Sequence, residues 1–307
     1  MIGTVSRWAL FAGLLAAVGA VTFRLVVLRR FPGFGPPSEG DASVDPAGLA
    51  ARIGRLALLA VALGALGRLA AEVAVFRDPF EPLWAEIRLL VTRTSWGRAW
   101  IAQITATAIS AFAFTLASKP GRVAEPGWVL ATAGVVLLAY TPALSGHATG
   151  AEHYVTAAIS ADVFHVAAGG VWLGTLAVMA GVLHLGRRHG AVISRTRIVD
   201  WITAFSPLAL GSAAVIGATG LFAAWLHLGA VSSLWTEPYG RRLSLKLLVL
   251  LVVIGGGAYN WKRSRDRVRA SEQPARLPPT VALELGAALA LLLVTAVLTV
   301  TPPPAHE

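Results

Sequence analysis

The chain has no cysteine, which excludes disulfides, thiolate metal centres and CxxC redox chemistry together. Methionine is nearly as scarce. Met1 and Met179 are the whole supply, so no ladder of thioethers exists for a soft metal ion. Charge is short too: 14% of the 307 residues are Asp, Glu, Lys or Arg, against about 25% in an ordinary soluble domain. The sequence holds no GxxxxGK[ST] loop and no HExxH, so neither a nucleotide-driven pump nor a membrane metalloprotease is indicated. No Ser-His-Asp order stands out either, and the chain does not read as an enzyme. Any bound metal must use imidazole, carboxylate or backbone oxygen.

What is present is apolar. Hydrophobic residues make up 56% of the chain and mean hydropathy is +0.67. The apolar residues fall in runs of about 20, the length that crosses a bilayer as a helix. Eight spans are expected: Ser6–Leu28, Leu49–Phe76, Arg98–Ser118, Gly127–Gly146, Ser160–His184, Trp201–His227, Leu243–Trp261 and Thr280–Val300. The fold class is therefore all-α, a polytopic transmembrane helical bundle. The first run continues past its small residues to Arg29-Arg30, which favours a retained anchor over a cleaved signal. FPGFGPPSEGDASVDPAG, residues 31–48, reads as a flexible loop, and LWAEIRLLV, residues 83–91, as an amphipathic helix lying at the interface. Residues 1–97 form a two-span N-terminal segment and residues 98–307 a six-span domain.

A net charge of +10 would point to nucleic acid in a soluble protein. Here the basic residues sit in short loops and set topology, so no nucleic-acid partner is expected. Sixteen Lys and Arg flank one set of alternate loops and seven the other, leaving Arg24, Arg68 and Lys246 within spans. The positive-inside rule makes the richer set cytoplasmic and turns both termini outward, to the periplasm of a bacterial inner membrane. Arg68 and Glu72, four apart in the second span, share a helix face and can pair or serve an ion path.

Against this background SGHATGAEHYVTAAISADVFHVAAGGVWLG, residues 145–174, stands apart. It contains His147, His153 and His165 with Glu152 and Asp162, at the outer ends of the fourth and fifth spans. Polar ligand-type side chains are costly inside an apolar helix unless they have a use. Asp162 and His165 are three apart and share a face. Imidazole ligates first-row metals well, and a carboxylate can ligate beside it or orient it. His227 closes the sixth span on the same side, so the candidate metal set is His147, Asp162, His165 and His227. His153 reads as a wetted interface residue, His184 and His189 as interface residues beside Arg187 and Arg188, and His306 as part of the tail. Gly169, Gly170 and Gly174 remove bulk and let another helix approach. A pair of these histidines on facing helices also permits a b-type haem, making an electron-transfer protein the alternative.

SGHA at 145–148 followed by DVFHVAAGGVWLG at 162–174 resembles the copper resistance protein D (CopD) family. FSPLAL (205–210), LWTEPYGRRLSLKLLVL (234–250) and AYNWKR (258–263) extend the resemblance over roughly residues 90–301. It implies an eight-span inner-membrane protein for copper transport or copper resistance, with a periplasmic copper-binding partner of the CopC type. Carried over by position, it implies copper, as Cu(I) or Cu(II), at His147, Asp162 and His165, and it adds Lys246 and Glu284 as family positions. A third possibility shares the site without transport: a factor that presents copper to a cuproenzyme.

Overall fold

The structure is a computed structural model, and it describes residues 1–30, 45–146, 154–190, 193–228, 230–268 and 279–301. All regular structure among the described residues is helical. Helix α1 covers Ile2–Thr22 and runs on through a π-helical turn, Phe23–Val27. Helix α2, Pro46–Phe76, starts on a strong signal: the Asp45 carboxylate accepts from the amides of Ala47 and Gly48, with Pro46 at the first helical position. Helix α3, Leu83–Arg93, has no buried residue. It exposes Leu83, Trp84 and Leu89, as an interfacial helix would. Helices α4, Ser95–Ala117, and α5, Ala124–Tyr140, form a hairpin. Pro142, which has no amide hydrogen, lies just past the end of α5, and a single 3₁₀ turn, Ala143–Ser145, follows it.

The fifth expected span is one continuous rod in three parts. Helix α6, Val155–Gly169, passes into a π-helical turn, Gly170–Gly174, and then into α7, Thr175–Arg188. Helix α8, Arg195–Leu228, continues through Pro207. A short α9, Ser233–Thr236, leads into α10, Pro238–Val268, and α11 is Pro279–Leu298. The eight long elements coincide with the eight expected spans. Six of them are long and apolar enough to cross a membrane, and the apolar part of α11, Ala282–Leu298, is shorter.

Helix α1 is the central post. It packs against α2, α5, α7, α11 and the Gly170–Gly174 turn, and Leu10, Leu14, Ala17 and Ala20 are almost fully buried. The glycines expected to admit a neighbouring helix do so, and the neighbour is α1. A methyl group on Gly174 would overlap the Leu15 carbonyl oxygen, and one on Gly19 would overlap the Gly174 backbone. Close backbone approach of this kind is how helices gain contact where lipid supplies no hydrophobic drive. At the other end Glu125 of α5 takes Arg24 and, at 3.2 Å, Arg29.

Candidate functional site

His165 projects from α6 toward α8. Gly220 of α8 lies beside the ring, where a β-carbon would stand in ordinary contact, 3.7 Å from His165 Cε1. The ring nitrogen Nδ1 is 2.9 Å from Thr219 Oγ1. That hydroxyl already donates to the Val215 carbonyl oxygen at 2.7 Å, so its oxygen accepts and His165 Nδ1–H donates. In that arrangement the proton sits on Nδ1. Nε2 keeps its lone pair, the form in which imidazole binds a metal.

Asp162 lies one turn before His165 on α6, half-buried. Two residues of α10 join it, of which Tyr239 is not singled out by sequence. Lys246 and Tyr239 both interact electrostatically with the Asp162 carboxylate, and Lys246 also with the His165 ring. Helix α10 thus supplies a cation and a phenol to the mouth formed by α6 and α8. Gly146, at the end of the 3₁₀ turn, also borders it: a β-carbon there would be 4.0 Å from Asp162 Oδ2.

His227 is placed differently. Its ring centroid is 6.3 Å from that of Tyr239. It stands eight residues beyond Thr219 on α8, about 12 Å along the helix. Asp162, His165 and His227 therefore do not converge, and among the described residues no group of three His, Asp or Glu side chains is poised to hold a metal. His147, Glu152, His153 and His306 lie outside the described residues. His184 ends α7 at the opposite side of the bundle, beside Arg187 and Arg188.

A buried polar chain backs this mouth. Arg68 of α2 is 7% exposed; it donates to Ser145 Oγ at 2.9 Å and to Gln103 Oε1 at 3.5 Å. Its guanidinium lies 5.7 Å from the Trp96 ring centroid. Gln103 in turn donates to Thr141 Oγ1 at 3.0 Å. The pairing of Arg68 with Glu72 along one helix is replaced by these cross-helix bonds, and Glu72 acts on Arg68 only through space. The hydroxyl and amide partners come from segments 35 and 77 residues away, beyond the reach of any local pattern.

Residues 199–298 match the family described as Copper resistance protein D, and residues 1–157 match the Copper resistance protein D-like, N-terminal domain. The second match alone covers half of the chain. The chain belongs to the copper resistance protein D family. It is also 27% identical over 221 residues to a curated protein of Bacillus subtilis (strain 168) named Copper transport protein CutJ. That similarity takes in 71% of this chain and 39% of the relative, so the chain spans well under half the length of that protein. No solved structure matches the chain.

The family matches bear on the residues above. Arg68, Gln103 and Ser145 fall within the N-terminal match, and Thr219, His227, Tyr239, Lys246 and Glu284 within the C-terminal one. Asp162 and His165 lie in the stretch between the two. Family membership also extends to the first two spans, which carry little motif of their own, and α1 is the element on which the others pack.

Proposed function

We propose that this protein receives copper at an outer-face site built on His165 and Asp162 and passes it inward between the spans. The observation that carries the reading is the His165–Thr219 bond, which fixes the imidazole with Nε2 as a lone-pair donor one turn from a carboxylate. His147 follows directly on Gly146, which borders Asp162, and supplies the second imidazole. His227 at the rim acts earlier, as a capture residue outside the final coordination sphere.

Imidazole and carboxylate suit Cu(II) as well as Cu(I). In the orientation set by the positive-inside rule the site opens to the periplasm of the bacterial inner membrane, both termini lie on that side, and a soluble copper carrier of the CopC type is the donor. Lys246 neutralises Asp162 while the site holds no cation, which limits the cost of keeping a carboxylate at this depth. The protein carries its cargo without chemical conversion and is not an enzyme.

A haem held by His165 and His227 is not favoured by this geometry. Imidazole–metal bonds are about 2 Å, so an axial pair needs its nitrogens about 4 Å apart, against an offset of about 12 Å along α8.

The test is copper content and visible absorption of the detergent-purified protein, wild type beside His165→Ala, followed by copper flux in sealed vesicles. Bound copper that falls in the variant, without a Soret band, is expected. A Soret band lost in the variant would move the protein to the haem class. Binding without flux in the wild type would make it a copper-presenting factor.

A further inference from the structure

Away from the outer mouth, one acidic side chain is buried deep among the helices. Glu284 of α11 is 8% exposed. It stands five residues from the inner end of its helix, about 8 Å in, with LGAALALLLV directly beyond it. A carboxylate at such a depth is expensive and marks an ion path by default.

Its neighbours are specific. Glu284 Oε1 is 3.2 Å from where a β-carbon on Gly257 of α10 would stand, and Trp172 Cζ2 is 4.0 Å from the same point. Trp172 is 6% exposed and belongs to the π-helical turn, an irregularity that re-aims side chains and recurs at functional sites. Three elements therefore meet at one spot: a carboxylate from α11, a missing side chain on α10 and an indole from the fifth span. The spot lies inward of the outer site. Trp172 is seven residues beyond His165, about 10 Å along the rod, and Gly257 is eleven beyond Lys246, about 16 Å along α10.

We infer that Glu284, Gly257 and Trp172 form a second, deeper station for the copper ion. Glu284 supplies the negative charge, Gly257 lets α10 come close to that carboxylate, and the Trp172 indole walls the spot. The ion leaves His165 and Asp162, is held there in transit, and departs toward the inner side. This rests on the permeation reading above, and the two are separable by experiment.

The test pairs equilibrium copper binding in detergent with radioactive copper flux in sealed vesicles, for wild type, Glu284→Gln, Glu284→Asp and Gly257→Val. Glu284→Gln should keep outer-site affinity within about twofold while flux falls tenfold or more. Glu284→Asp, which keeps the charge, should recover part of the flux, and Gly257→Val, which crowds the carboxylate, should lose it. Outer-site binding within twofold in both valine and glutamine variants also shows that they fold. Undiminished flux in Glu284→Gln and Gly257→Val overturns the station while leaving the outer site standing. Loss of outer-site binding in all three variants makes Glu284 part of the scaffold and overturns it as well. A wild type without flux overturns the permeation reading and this station with it.

Discussion

Thr219→Val isolates the feature on which the proposed outer site depends. Valine keeps the shape of threonine and removes only the hydroxyl, so α6 and α8 stay in place while His165 Nδ1–H loses its acceptor. Outer partners of this kind change metal affinity by about 10–100-fold when removed, equivalent to about 1.4–2.7 kcal/mol. Copper affinity in detergent, measured by competition with a chelator of known strength, should weaken by that factor, and Thr219→Ser should restore it. Thr132→Val is the matched control. Its hydroxyl makes the same bond to the preceding turn, 2.7 Å to the Trp128 carbonyl oxygen, with no histidine attached, and affinity should not move. The reasoning fails if Thr219→Val binds copper within twofold of wild type while His165→Ala abolishes binding, because the ring would then need no orienting partner.

Other outcomes follow from the packing and the polar chain. Gly174→Leu drives a side chain into the Leu15 carbonyl; overpacking of this kind costs about 1–3 kcal/mol or more, read as a lower thermal midpoint of the purified protein. Arg68→Ala leaves Ser145 and Gln103 without their donor, at about 1–3 kcal/mol, and Arg68→Lys should rescue little because an ammonium lacks the planar fork that reaches both. Glu125→Gln should shift the midpoint hardly at all, since the exposed pairs with Arg24 and Arg29 are worth about 0–1 kcal/mol. The absence of native cysteine makes orientation directly testable. In intact cells an impermeant maleimide should label Arg241→Cys, while Lys119→Cys should react only after the membrane is opened; the reverse pattern would invert the proposed topology.

The long elements were legible because hydropathy and helix length are local quantities. Each expected span has its helix, and the amphipathic LWAEIRLLV segment is the surface helix α3. Differences arise where the backbone departs from a regular helix. The fourth span runs to Ser145, but its α-helix stops at Tyr140 and a 3₁₀ turn after Pro142 completes it. The fifth holds a π-helical turn where its glycines meet α1. At the site, the spacing of Asp162 and His165 was enough to put them together on one face. Thr219, Tyr239 and Lys246 join them only through the packing of α8 and α10. His227 ends the sixth run as its place in the sequence indicates, and only the packing of α10 sets its ring beside Tyr239.

By itself the sequence determined a many-span helical chain in which any metal ligand is restricted to imidazole, carboxylate or backbone oxygen by the want of sulfur. Run length, loop charge and residue chemistry need no knowledge of neighbours. The tertiary structure alone decided that α1 is the post around which the bundle closes. It also decided that Arg68 binds Ser145 in preference to Glu72, that Thr219 selects the His165 tautomer, and that Glu284 meets Gly257 and Trp172. Each of these joins residues far apart in the chain, and helix packing in lipid is set by small residues and interhelical hydrogen bonds, whose partners no periodicity names.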